Sequence, residues 1–126
     1  MYELMLKTHF SAAHRLREYE GQCENLHGHN YHVEVVLAGD ELDESGMLID
    51  FKKAKGFLKE VMGRLDHEYL NEVEPFDQLN PTTENIARHI AEVLAALLPE
   101  GLRIGRVTCW ESEKCAARYI PGHAGR

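Results

Sequence analysis

His27-Gly28-His29-Asn30-Tyr31-His32-Val33-Glu34-Val35-Val36-Leu37-Ala38 is the run that decides the fold class. Read with a period of two, His27, His29, Tyr31, Val33, Val35 and Leu37 share one face, and Asn30, His32 and Glu34 share the other. That alternation predicts a half-buried strand over 27–38. Its buried face is apolar or aromatic for most of its length and begins with two imidazoles side by side.

Residues 2–10 alternate more loosely and predict a first strand. Gly39-Asp40-Glu41-Leu42-Asp43-Glu44-Ser45-Gly46 is a turn or loop. Asp50 is a candidate cap for a helix over 51–65, with Phe51, Ala54, Leu58, Val61, Met62 and Leu65 as its apolar stripe. Residues 71–80, with Pro75, form a polar connection that is long for a helix–helix link. Pro81, Thr82 and Thr83 open a second helix with Glu84 in its first turn. Its stripe is Ile86, Ile90, Val93, Leu94 and Leu97, and it stops before Pro99 and Gly101. Residues 103–111 and 114–120 predict two more strands, tightly joined.

The order ββααββ predicts a single α+β domain over 1–126, a four-stranded antiparallel sheet with two helices on one face. The other face and the strand edges are left in need of partners, which points to symmetric oligomerisation. The chain has 126 residues and a net charge of −7, enough for a core without disulfide staples. An acidic chain disfavours general nucleic-acid or anionic-membrane binding. Three cysteines cannot all pair within one chain, and no signal peptide or membrane span is visible. A cytoplasmic protein is the expectation.

His14 closes the run Phe10-Ser11-Ala12-Ala13-His14 and is a candidate third imidazole beside His27 and His29. Three neutral imidazoles with one open position describe a catalytic zinc site, whereas structural sites take four protein ligands. Gly28 lets the backbone approach a ligand or neighbouring chain closely. Cys23, four residues before His27, has three readings: a fourth ligand closing the site, a buried small residue, or a thiolate acting as base or nucleophile. Asp66-His67 is either a solvated turn or a carboxylate that orients an imidazole for proton relay. Glu111 is either a solvated strand end or an acceptor of two parallel hydrogen bonds from an amidine-like edge, as a pterin or guanine ring offers. Cys109 and Cys115 have a poor zinc spacing and are read as packing residues. Trp110 and Tyr119 are read as core or interface.

Together, five runs resemble the 6-pyruvoyl-tetrahydropterin synthase superfamily. They are Phe10 to His14, Cys23 to Tyr31, Leu65-Asp66-His67 with Leu70-Asn71, Pro81 to Asn85, and Glu111-Ser112. Within it, the chain is most similar to the bacterial 6-carboxy-tetrahydropterin synthase branch of the queuosine pathway. The resemblance implies the tunnelling fold, in which three subunits join their sheets into a barrel and two trimers stack into a hexamer. It implies zinc on His14, His27 and His29, Cys23 as the proton-abstracting base, and Asp66–His67 as its relay. It makes Glu111 the anchor of the pterin ring, also grouped with the relay, and Thr82 and Thr83 candidates for further pterin contacts. Active sites form between subunits. The implied substrate is 7,8-dihydroneopterin triphosphate, converted to 6-carboxy-tetrahydropterin with release of acetaldehyde and triphosphate. A synthase making the pyruvoyl product, and a non-catalytic zinc-stabilised pterin-binding oligomer, are the alternatives. No compact basic motif marks the triphosphate site.

Overall fold

The computed structural model describes residues 1–17 and 26–122. The alternation over 27–38 is realised as β2 (His27–Gly39), at the centre of the sheet and antiparallel to β1 (Tyr2–His14). Strand β1 runs four residues beyond the expected 2–10. Ser11, Ala12 and Ala13 have weak strand preferences, but each pairs with β2, and the pairing ends with His14 opposite His27. Tertiary pairing overrides local propensity here.

The chain then forms α1 (Phe51–Gly63), β3 (Glu68–Tyr69), a 3₁₀ turn at Leu70–Glu72, α2 (Thr83–Leu97), β4 (Arg103–Trp110) and β5 (Ala116–Tyr119). The sheet has five strands in the order β3-β1-β2-β4-β5. The four antiparallel strands expected from sequence are present, but two-residue β3 adds a parallel edge, with Ala12 opposite Glu68 and Ala13 opposite Tyr69. Two residues are too short to show a periodicity. They are placed by the turn before them, where His67 takes a left-handed conformation (φ 61°) and its N–H donates to Ser11 O at 2.6 Å.

Asp50 caps α1, its carboxylate accepting from Lys52 N–H at 2.9 Å. Ala54, Leu58, Val61 and Met62 are buried. Phe51, expected on this stripe, is exposed, and Leu65 is fully buried just past the helix end. Thr82 caps α2 through Asn85 N–H at 3.1 Å. Ile86, Ile90 and Leu94 are buried, with Val93 and Leu97 packed at the margin. Helix α2 lies across β4 and β5, and α1 packs on α2 and β1. Between helices and sheet sit Phe10, Tyr31, Val33, Val35, Val107 and Cys109, all fully buried. The rings of Phe10 and Tyr31 stack at 4.8 Å.

One irregularity shapes the sheet. Val36 pairs with Arg106 and Leu37 with Ile104, leaving Gly105 as a bulge in β4. A Cβ at Gly105 would stand 3.2 Å from Val36 Cγ1 and 3.3 Å from Val36 O, so any larger residue would push Val36 back by a few tenths of an ångström. The sheet face away from the helices is polar and cross-linked between strands. Ser11 Oγ donates to Asn30 Oδ1 at 2.6 Å, Lys7 pairs with Glu34 at 3.8 Å, Arg106 with Glu3 at 3.7 Å, and Arg118 Nε donates to Thr108 Oγ1 at 2.8 Å. This face therefore has no need of an apolar cover. The strand edges do need partners: among the described residues, β1 before Ala12 has no neighbour on the side away from β2. No helix of the described residues is long and apolar enough to cross a membrane.

Ile90 is fully buried. Ile90→Ala should lower unfolding free energy by about 2–5 kcal/mol in a urea titration. A loss below about 1 kcal/mol would place Ile90 outside the core.

Candidate metal centre

The β1–β2 register builds the site. His14 ends β1, His27 begins β2 directly opposite, and His29 follows two residues on, on the same face. The ring centroids lie 4.7 Å (His14–His27), 5.2 Å (His14–His29) and 4.5 Å (His27–His29) apart. Glu111, just past the end of β4, joins them. Its Oε1 lies 3.3 Å from His14 Nε2 and 3.2 Å from His29 Nε2. One ligand atom from each of the four residues falls within 4.8 Å of all the others.

Partners behind His14 decide which of its nitrogens faces the cluster. Nδ1 donates to the carbonyl of Pro81 at 2.8 Å, and the Tyr31 hydroxyl oxygen lies 3.2 Å from the same nitrogen. A carbonyl can only accept, so Nδ1 carries the proton and Nε2 presents its lone pair forward. Metal-bound histidines are held this way by a backbone carbonyl or carboxylate on the rear nitrogen. Zinc–nitrogen bonds of about 2.0–2.1 Å at tetrahedral angles put two ligand nitrogens roughly 3.3 Å apart. His14 Nε2 and His27 Nε2 stand 3.1 Å apart. The three imidazoles thus fit a divalent metal of the zinc class, with room for Glu111 or a substrate oxygen at the fourth position. Burial above all, then the charge of Glu111, pushes the Tyr31 hydroxyl well above its ordinary range, so it stays protonated.

The other predicted residues are distributed less simply. Asp66 and His67 form a pair, Oδ2 to Nδ1 at 3.0 Å, outside the histidine cluster, with the His67 side chain 83% exposed. Ser11 N–H donates to Asp66 Oδ1 at 2.9 Å. That bond first, then His67, holds the Asp66 carboxyl below its usual range. The pairing is present above the ordinary carboxylate pKa and is lost as pH falls through the depressed one. Thr82 is half-buried and its Oγ1 caps α2, while Thr83 is the first residue of that helix. Both follow Pro81, whose carbonyl holds His14, so the helix start adjoins the cluster. Cys23 lies outside the described residues. Cys109 is buried as expected, its thiol pushed up to about 12 by burial and then by Glu111. Cys115, read from sequence as a packing residue, is instead exposed, in the turn closed by Glu111 N–H donating to Cys115 O at 3.0 Å.

Sequence reading missed a set of residues that ties β1 to the loop before α2. Asn71 accepts from Arg15 N–H at 2.8 Å and donates to Arg15 O at 2.8 Å. Asn80 accepts from Arg17 N–H at 2.8 Å and donates to Arg17 O at 3.1 Å. The Arg17 guanidinium donates to the carbonyls of Phe76 (2.6 Å), Leu79 (3.2 Å) and Asn71 (3.3 Å). The unusual length of the 71–80 connection was the available signal. It is long because it holds the segment that follows His14.

The family model described as 6-pyruvoyl tetrahydropterin synthase matches residues 3–121. The chain is 44% identical over 102 residues to 6-carboxy-5,6,7,8-tetrahydropterin synthase of Bacillus subtilis, covering 77% of this chain and 68% of that protein. It is 36% identical over 111 residues to dihydroneopterin monophosphate aldolase of Pyrococcus furiosus, covering 88% and 90%. Among solved structures, 6-pyruvoyl tetrahydropterin synthase of Caenorhabditis elegans superposes with a TM-score of 0.84 at 30% identity, covering 96% of each chain.

The shared face of His14, His27 and His29 predicts one bound zinc per chain. His27→Ala/His29→Ala should abolish it with the far-ultraviolet circular dichroism retained, because an open three-ligand site is not the main source of stability. Full zinc occupancy of the double variant by elemental analysis would refute the assignment. Tyr31→Phe should weaken zinc binding by roughly tenfold, at the low end for partners behind a metal ligand.

Proposed function

Because this chain belongs to the 6-pyruvoyl tetrahydropterin synthase family, we propose that it is a zinc-dependent lyase acting on 7,8-dihydroneopterin triphosphate. Its products are 6-carboxy-5,6,7,8-tetrahydropterin, acetaldehyde and triphosphate, with one water consumed, as a step toward 7-deazaguanine (queuosine) biosynthesis. The observation that carries this reading is the three-histidine cluster with Glu111 at its mouth. The similarity to the Bacillus subtilis synthase supports the carboxy product over the pyruvoyl one.

His14, His27 and His29 would hold the zinc ion, which when bound would supply Lewis-acid polarisation of a substrate side-chain hydroxyl and so acidify the neighbouring carbon-bound proton. Cys23 as thiolate takes that proton, and the electron pair left behind drives out the triphosphate. His67, oriented by Asp66 at 3.0 Å, then carries the proton away. Glu111 accepts two hydrogen bonds from the pterin ring N–H and exocyclic amino group. Thr82 and Thr83 offer further contacts at the start of α2.

The exposed position of Asp66–His67, apart from the cluster, supports a site shared between subunits. The unpaired β1 edge supports closure of the sheets into a ring, a homohexamer built as a dimer of trimers. A relay that belongs to a neighbouring copy's site has reason to face outward in its own chain.

Incubation of the zinc-loaded protein with 7,8-dihydroneopterin triphosphate tests the activity, read by mass spectrometry of the pterin and an acetaldehyde assay. A pyruvoyl product with no acetaldehyde would move the chain to the other branch. The relationship to the Pyrococcus furiosus aldolase favours a second reading, cleavage of the side chain without loss of the phosphate. That reaction would leave a hydroxymethyl pterin and a phosphorylated two-carbon aldehyde.

Cys23→Ala should lose about 10²–10⁴-fold in rate with zinc retained. Loss of zinc instead would make Cys23 a ligand and favour a non-catalytic binding protein. Glu111→Gln places a donor against a donor of the ring, leaving polar groups unpaired at about 1–3 kcal/mol each. Pterin affinity should fall by roughly one to two orders of magnitude with zinc content unchanged. If zinc is lost instead, Glu111 is a metal ligand rather than the ring anchor.

A further inference from the structure

We propose that the groove between α1 and the unpaired edge of β1 is a polyphosphate subsite, and that, given the substrate proposed above, it holds the triphosphate. The groove is a pocket of about 470 Å³, walled by Lys7 and His9 on β1, Lys55 and Lys59 on α1, and Asp66 at its end, with Leu58 among its lining residues.

The charge distribution is the first argument. The chain carries a net charge of −7, yet four of its six lysines, Lys52, Lys53, Lys55 and Lys59, lie on α1. Lys55 and Lys59 sit one turn apart on the same side of α1, a like-charge pair that an isolated helix disfavours. Among the described residues, neither has a carboxylate partner. The acid that lines the groove, Asp66, is engaged with His67 at 3.0 Å. Two lysines facing a cavity without a counter-charge are arranged to receive an anion from outside.

Position is the second argument. The groove ends at Asp66, the carboxylate that orients His67. In the proposed reaction the triphosphate leaves from a carbon only a few bonds from the one that loses its proton. Its binding site must therefore adjoin the relay pair. Asp66 and the two lysines line the same pocket.

The test uses the full zinc-loaded protein, with inorganic triphosphate as the probe in titration calorimetry. Lys55→Gln/Lys59→Gln should weaken triphosphate binding by roughly tenfold or more, because two charge-assisted contacts are lost. Lys52→Gln/Lys53→Gln removes the same charge from the same helix outside the groove and should leave binding within about twofold, as expected where only screened, long-range charge is altered. With 7,8-dihydroneopterin triphosphate, KM should rise in the first variant with kcat nearly unchanged, while affinity for unphosphorylated dihydroneopterin stays the same. Equal weakening in both variants would reduce the effect to diffuse charge and overturn the subsite. So would an absence of triphosphate binding combined with a change of oligomeric state in Lys55→Gln/Lys59→Gln, which would give the groove to a second copy of the chain. Selective triphosphate binding in a protein that does not turn over the pterin would sink the lyase reading and leave the polyphosphate subsite standing.

Discussion

The antiparallel register of β1 on β2 is the constraint on which the rest of the molecule depends. It sets thirteen residues of one strand against thirteen of the other and ends with His14 opposite His27. A slip of one residue would turn one strand's entire set of side chains over. Burial forbids that slip. Phe10, Tyr31, Val33 and Val35 fill the space under the helices, and their places on the outer face would leave a charged and histidine-bearing face in the core. The geometry of the histidine cluster is thus a by-product of apolar packing further along the same strands. The Phe10–Tyr31 stack links the two directly, since the Tyr31 hydroxyl reaches His14 Nδ1.

A second layer of order comes from the connection between the two helices. Pro81 holds the rear nitrogen of His14, while Asn71 and Asn80 pair with the backbone of Arg15 and Arg17 as a neighbouring strand would. Arg17 in turn donates to three carbonyls of that connection. Such irregular backbone beside a site would otherwise leave polar groups unsatisfied, which is costly when they are half-buried. The same contacts anchor the chain where it leaves β1 toward Cys23. Loop 71–81 therefore acts on the candidate site twice, through one ligand and through the start of the segment that bears the proposed base.

The two sides of the sheet have been assigned different tasks by side-chain chemistry alone. One side is sealed by α1 and α2. The other carries hydrogen bonds and ion pairs between neighbouring strands and is stable against water. Among the described residues β1 before Ala12 lacks a partner on one side and β5 ends the sheet on the other, and exposed edges of that kind favour closure with further copies. The β1 edge bounds the lysine groove and carries the Asp66–His67 turn. The proposed association and the proposed chemistry thereby meet at one border of the chain.

The sequence by itself determined whatever depends on neighbours a few residues away. The period of two over 27–38, the stripes of Ala54 to Met62 and Ile86 to Leu94, the cap at Asp50, the opening of the second helix at Pro81 to Thr83, and the shared face of His27 and His29 all arise from local geometry, and all were legible. The ββααββ order followed from them, while the family resemblance rested on five short runs of particular residues, from Phe10–His14 to Glu111-Ser112. Tertiary structure alone decided the features that join distant segments. His14 meets the carbonyl of Pro81 across 67 residues, Asn71 meets Arg15 across 56, and neither partner carries a pattern that announces the other. The same holds for β3, for the extension of β1 to His14, for the exposure of Cys115, and for Glu111 standing among the histidines rather than apart from them. Periodicity reports which face of an element is buried. Only the packed chain decides which polar atoms are brought together once those faces are closed.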